Sequence, residues 1–164
     1  PLAATLGDTV PLDTERGYHL MLPEEHGRLP FPVTSLERKF IMTPMEGGLR
    51  LAGTVEFAGL KSPPNMQRAW QLHQLSQGLF RTDLSTANAS PWMGFRPSLP
   101  DSLPIIDRVC DGKVLLAFGH QHLGLTQAAI TAEWIASLAG SSALTADTTE
   151  ALPDLSTYRL ARFA

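Results

Sequence analysis

The sequence predicts an α+β domain built on a largely antiparallel sheet. Three observations carry that expectation. Strand-like runs and helical runs come in the order strands, helix, strands, helix, which is not the strict alternation of a parallel α/β fold. Two of the strands are joined by the tight turn Glu46-Gly47-Gly48, which makes them antiparallel partners. Thirteen prolines and thirteen glycines in 164 residues punctuate the rest and leave little room for long helices.

Each element has its own signal. Residues 15–22, ERGYHLML, read as a strand ended by Pro23, and 24–36 read as a loop with prolines at 30 and 32. A second strand is expected from Lys39 to Thr43, stopping at Pro44. The third, LRLAGTVEFAG, puts Leu49, Leu51, Gly53, Val55 and Phe57 on one face, with Arg50, Ala52, Thr54 and Glu56 on the other. A helix is expected over about 64–80, with Pro64 in its first turn. Its stripe is Met66, Ala69, Trp70, His73, Leu75, Gln77 and Phe80, widened by Leu72 and Leu79 and weakened at its end by Gly78. Residues 88–97 read as extended, 98–112 as a proline-punctuated loop, and KVLLAFG as a buried strand. Leu125–Leu138 is the second helix, with Ala128, Ala129, Ala132, Ile135, Ala136 and Leu138 facing inward and Gly140 just past its end. Trp70 and Trp134 are expected in the core. Residues 141–150 read as loop.

Composition narrows the function. The chain is 43% hydrophobic and 18% charged, with net charge −3 and no basic tract, so no nucleic-acid partner is expected. No apolar run approaches the roughly 20 residues of a membrane span. The start at Pro1 rather than Met leads us to expect a piece of a longer chain. The single Cys110 cannot form an internal disulfide.

Two stretches carry chemistry. In AFGHQHLGLTQAAI, a strand delivers the chain to Gly119, and Gly124 and Thr126 open a helix. Its free amides could hold an anion or an electron-rich ring. A plain helix start is the alternative. A metal held by His120 and His122 is a third reading, disfavoured because a structural zinc site needs four ligands. In PWMGFRPSLPD, Arg96 is held between Gly94-Phe95 and Pro97, next to the aromatic Trp92 and Phe95, with a planar fork suited to a carboxylate. A structural pair with Asp101 is the alternative. Glu56 is expected to serve the sheet, and Asn88-Ala89-Ser90 matches a glycosylation pattern by chance.

Together, GFRPSLPDSLPII and GHQHLGLT resemble the C-terminal part of FAD-dependent amino-acid oxidoreductases, the family of D-amino-acid oxidase and glycine oxidase. ERGYHL, TPMEGGLRLAGTVEFAG and PPNMQRAW resemble its D-amino-acid dehydrogenase branch. The resemblance runs over residues 1 to about 140. It implies that Arg96 binds the substrate carboxylate, and that Gly119, His120, Leu123, Gly124, Leu125 and Thr126 contact the flavin of FAD, with no catalytic metal. It implies residues 1–110 as a substrate-binding antiparallel sheet with its helix, and 111–164 as the C-terminal strand, flavin-contacting turn, helix and tail. It further implies oxidative deamination of a small D-amino acid by hydride transfer to flavin. A relative oxidising glycine, sarcosine or hydroxyproline is the near alternative; a non-catalytic substrate-binding or subunit-assembly module is the distant one. No Gly-x-Gly-x-x-Gly fingerprint follows a strand, so a Rossmann FAD-binding portion is expected N-terminal to this chain, or on a second chain. Phe40 stands near where several of the oxidases carry a substrate-binding tyrosine. Trp92, Met45 and Leu123 are expected to wall a side-chain pocket. Electrons would pass to oxygen or to a quinone. The expected location is cytoplasmic, at the inner face of the cytoplasmic membrane if a quinone is used.

Overall fold

The computed structural model describes residues 2–5, 7, 9–140 and 154–163. The stretch 141–150, expected as loop, lies outside them. Among the described residues the architecture is α+β, as expected: a five-stranded sheet, a two-stranded sheet and two substantial helices. Contacts divide it into two compact units, Thr14–Arg96 and Pro1–Asp13 with Pro97–Ala164.

The first unit is built on β1 (Asp13–Leu22), β2 (Val33–Ser35), β3 (Phe40–Met45), β4 (Gly48–Glu56) and β5 (Ser90–Ser98), in the order β2-β3-β4-β1-β5. The β3–β4 hairpin and the β4–β1 pair are antiparallel. β2 falls inside the expected loop. It is three residues long, follows two prolines, and pairs only with Phe40–Met42 of β3. That short reach explains why β3 continues through Pro44 instead of stopping there. β2 ends before Pro44, so the missing N–H costs no ladder bond.

The expected faces of β4 need a correction. Leu49 and Leu51 are fully buried, but Val55 and Phe57 are exposed. The cause is a bulge: the register with β1 slips between Tyr18 and His19, which pair with Thr54 and Ala52. Gly53 is the extra residue. It has φ 151°, and a Cβ there would lie 2.6 Å from the Phe40 Cα. One extra residue inverts a period of two, so Glu56 turns to the side of Tyr18 and Arg16.

The helix α2 (Gln67–Ser76) is shorter than expected at both ends. Pro63 and Pro64 hold the preceding chain out of the helix, and Gly78, with φ 73°, ends the segment. It buries Ala69, Leu72 and Ser76 against the sheet, while Trp70 is 40% exposed and not core. The core comprises Tyr18, Leu20, Leu22, Phe40, Met42, Leu49, Leu51, Ala69, Leu72 and Leu84. The strand residues of this core, from Tyr18 to Leu51, lie on one sheet face; on the other face His19, Met21 and Arg50 are only partly buried.

The second unit holds β6 (Ile105–Val109), β7 (Val114–Phe118) and α3 (Gly124–Leu138), with two 3-10 turns, Ser156–Tyr158 and Leu160–Phe163. β6 replaces part of the expected loop and pairs antiparallel with β7, which places 105–109 beside the C-terminal strand. The tail is tied back: Arg162 donates to Asp101 (2.6 Å) and to the Leu103 carbonyl (2.7 Å), and the Leu160 N–H to Asp107 (2.9 Å). Two expectations of burial fail here. β7 buries only Leu116 fully, and α3 buries only Thr131. Ala128, Ala129 and Ala132 are exposed, and Trp134 is half-buried beside Tyr158. A helix apolar nearly all round has no strong stripe from which to read its buried side.

Candidate functional site

Two groups of residues carry the candidate chemistry, one in each unit. The first is the open sheet face. Neighbours alternate along a strand, so Gly17, His19 and Met21 of β1 face away from the core that takes Arg16, Tyr18, Leu20 and Leu22. On β5, Met93 packs on the core and Phe95 lies over Arg16. Trp92, Gly94 and Arg96 therefore face the open side.

Arg96 lies directly on Gly17: a Cβ at residue 17 would sit 2.1 Å from its Nη2 and 2.3 Å from its Cζ. Only glycine lets the guanidinium rest on the strand this closely. Trp92 covers Gly94 in the same way and stacks on His19, with ring centroids 4.7 Å apart. Asp101, the expected structural partner of Arg96, is engaged by Arg162 instead. Among the described residues Arg96 has no ion pair. A half-buried guanidinium without a counter-charge, beside an aromatic wall, is suited to a carboxylate ligand.

On the core side a different arginine is saturated. Arg16 is fully buried and donates to the carbonyls of Gly59 (2.8 Å), Pro63 (3.2 Å), Ala58 (3.3 Å) and Ser62 (2.7 Å). It lies 3.6 Å from Glu56. Glu56 also accepts from the Tyr18 hydroxyl and from Arg68, and these bonds, Tyr18's foremost, hold its carboxyl below the usual carboxylate range. Glu56 and Tyr18 thus brace the loop between β4 and α2. Phe40, near the position of the missing tyrosine, is buried in the core.

The second group is the turn from β7 into α3. Gly119 has φ 83°, and a Cβ there would lie 2.5 Å from Leu99 Cδ1. Gln121 also takes the left-handed conformation, with φ 51°. His120 Nε2 is 3.0 Å from the Thr131 hydroxyl about two turns into α3, and burial lowers its pKa, so the ring braces the turn in its neutral form. Leu123 caps α3 without any side-chain bond, and the first intrahelical bond runs from Gln127 N–H to the Leu123 carbonyl. The amides of Gly124, Leu125 and Thr126 are thus the free donors of the helix end. A Cβ on Gly124 would meet nothing closer than the His120 Cβ at 3.6 Å, and Leu125 is 92% exposed.

Gln121 and Gln127 escaped the sequence reading. Gln121 Nε2 and Gln127 Oε1 are buried polar atoms with no hydrogen-bond partner among the described residues. Their only sequence signal is proximity to the turn. An orphaned donor and an orphaned acceptor flanking an uncapped helix start fit a planar ligand edge carrying both kinds of group. Among the described residues, no three His, Cys, Asp or Glu side chains are grouped to hold a metal.

The family model described as FAD dependent oxidoreductase matches residues 1–138. This chain belongs to that family. A D-amino-acid oxidase of Bradyrhizobium diazoefficiens is 38% identical over 141 residues, covering 84% of this chain and 34% of that protein. A D-amino acid dehydrogenase of Paramagnetospirillum magneticum is 32% identical over 139 residues, 84% of this chain and 33% of its own length. The chain thus spans about a third of these relatives. Among solved structures, the glycine oxidase of Geobacillus kaustophilus superimposes with TM-score 0.70 at 19% identity, covering 97% of this chain and 41% of that one. The L-proline dehydrogenase of P. horikoshii gives 0.66 at 17%, covering 98% and 42%. At those identities the likeness is one of fold.

The family is FAD dependent. The turn's residues fit an isoalloxazine edge: small and open at 124, uncapped at 124–126, and with the amide atoms of Gln121 and Gln127 that lack partners among the described residues alongside. No helix among the described residues is long and apolar enough to cross a membrane.

Proposed function

We propose that this chain is the substrate-anchoring and flavin-contacting part of an enzyme that oxidatively deaminates D-amino acids. The observation that carries the reading is Arg96, seated on Gly17 and unpaired among the described residues. Its fork holds the α-carboxylate of the substrate and fixes the amino acid's orientation. Trp92 and Met45, both exposed on the unit that carries Arg96, offer apolar walls for the side chain. Gly119, His120, Leu123, Gly124, Leu125 and Thr126 hold the pyrimidine edge of the flavin, with Gln121 and Gln127 beside them. The amides of residues 124–126 place partial positive charge where a reduced ring gathers electrons. FAD, when bound, supplies the two-electron acceptor for the amine's Cα–H bond. No side chain is needed as a base if the amine arrives neutral; the imino acid then hydrolyses to an oxo acid and ammonia.

The dinucleotide-binding portion lies N-terminal to this chain or on a partner chain. The apolar surface of α3, with Leu125 and Ile130 exposed, supports a covering layer of that kind. Oxygen or a quinone takes the electrons, in the latter case at the inner membrane face. Acid substrates other than D-amino acids, such as glycine or sarcosine, would use the same carboxylate anchor.

The test is the visible spectrum of the full-length gene product, recorded without oxygen before and after D-alanine. A flavin spectrum that bleaches is expected. A flavin spectrum that stays oxidised with every D-amino acid but bleaches with sarcosine would overturn the substrate assignment and leave the cofactor site standing. A full-length product that never binds flavin would favour the non-catalytic module.

A further inference from the structure

The open sheet face carries a second arginine that the reading above leaves without a task. Arg50 stands on β4 opposite Met21 of β1 and Thr43 of β3. Leu49 and Leu51 on either side of it are buried in the core, so Arg50 faces the open side with His19 and Met21. Its Nε is shielded from solvent and has no hydrogen-bond partner among the described residues. No ion pair among the described residues involves it. The contrast with Arg16, whose fork is filled by four carbonyls and a carboxylate, is direct. A desolvated cationic donor without an acceptor is costly, and an incoming carboxylate removes that cost.

The neighbours suit such a ligand. Burial first, and then the Arg50 charge, keep His19 below its ordinary pKa, so its imidazole is neutral and free to share a hydrogen bond. Arg96 rests on Gly17, four residues before Met21 on the same strand face. That offset is roughly 13 Å at the rise of a strand. His19 lies midway, with Trp92 stacked on it. The order along the face is therefore cation, aromatic wall, cation.

We infer that Arg50 takes the distal carboxylate of a D-amino dicarboxylic acid of glutamate length or longer, whose α-carboxylate is on Arg96. The methylene chain runs across Trp92. The inference rests on the assignment of Arg96 as the carboxylate anchor and deepens it from D-amino acids in general to acidic ones.

The test uses the full-length flavoprotein and Arg50→Met, which keeps length and removes charge. Calorimetric titration compares glutarate with butyrate, since both offer Arg96 one carboxylate and only glutarate offers a second. The wild type is expected to bind glutarate about 30-fold more tightly or better, and Arg50→Met to abolish that margin with butyrate affinity unchanged. In turnover, Arg50→Met is expected to lower kcat/KM for D-glutamate about 100-fold and leave D-norvaline within about threefold. Equal affinity for the two acids in the wild type overturns the inference. So does an equal loss of both in the variant, the result expected if Arg50 serves a carboxylate elsewhere in the complete protein. Arg50→Lys, expected to keep part of the margin, makes the same comparison should Arg50→Met fail to fold. Arg96→Leu separates the two layers: unchanged butyrate binding overturns the anchor and this inference together, whereas lost butyrate binding without a glutarate margin in the wild type sinks Arg50 alone.

Discussion

Arg96→Leu in the full-length enzyme is expected to lower kcat/KM for D-alanine by about 100- to 1,000-fold, mostly through KM. The magnitude follows from truncating one partner of a partly desolvated, bidentate charge pair. Stability should change little, because Arg96 makes no hydrogen bond or ion pair among the described residues that leucine would break. A companion change tests placement apart from charge. Gly17→Ala puts a methyl where the guanidinium lies, 2.1 Å from Nη2. The backbone at residue 17 is not in the left-handed region, so the fold accepts alanine, and only the flexible tip of Arg96 must yield. A displacement of about an ångström is enough to raise KM roughly tenfold or more. Steady-state kinetics beside a thermal melt checks both. A normal KM in Arg96→Leu would remove Arg96 as anchor. A normal KM in Gly17→Ala would mean that the guanidinium leaves Gly17 when substrate binds.

The glycine under Arg96 also marks where sequence reading reaches its end. Arg96 itself was legible, because Gly-Phe-Arg-Pro just after Trp92 is a local pattern. Its seat on Gly17 was not, since it joins residues far apart in sequence through a pairing of β5 with β1 that no local signal sets. The β3–β4 hairpin was legible from Glu46-Gly47-Gly48, a turn whose chemistry is written in adjacent residues. The bulge at Gly53 was not: a strict alternation looks the same with or without one extra residue, yet it decides whether Val55 faces the core or the solvent. Similarly, the turn at 119–126 announced itself by its glycines, whereas the orphaned amide atoms of Gln121 and Gln127 depend on burial that only three dimensions provide. The strand β6 was hidden by the prolines around Ile105-Ile106, whose pairing with β7 outweighs their loop-like surroundings.

Arg16→Met is expected to cost about 3–5 kcal/mol of stability in the full-length protein, measured by urea unfolding with matched flavin content. The side chain is fully buried, so methionine can occupy much of its volume. What it cannot replace are the bonds to the carbonyls of Ala58, Gly59, Ser62 and Pro63, which are stranded together when the guanidinium goes. Residues 57–66 should then become the first site of cleavage in limited proteolysis, because the bonds left to the loop, from Asn65 N–H to the Tyr18 hydroxyl and from α2 to Asn65 and Met66, all lie at its far end. The same clamp has an acid limit with a definite sign. Glu56 is held below its ordinary pKa of 4.5, first by the Tyr18 hydroxyl, then by Arg68 and Arg16. A depressed carboxyl stabilises the fold at pH above its unfolded value and loses that contribution as pH falls through its lower folded value. Tyr18→Phe should therefore flatten the acid limb of the stability curve more than Arg16→Met does, even though Arg16→Met is the more damaging change at neutral pH. If the order were reversed, with Arg16→Met erasing the acid limb and Tyr18→Phe leaving it intact, the charge of Arg16 rather than the hydroxyl of Tyr18 would be what keeps Glu56 ionised.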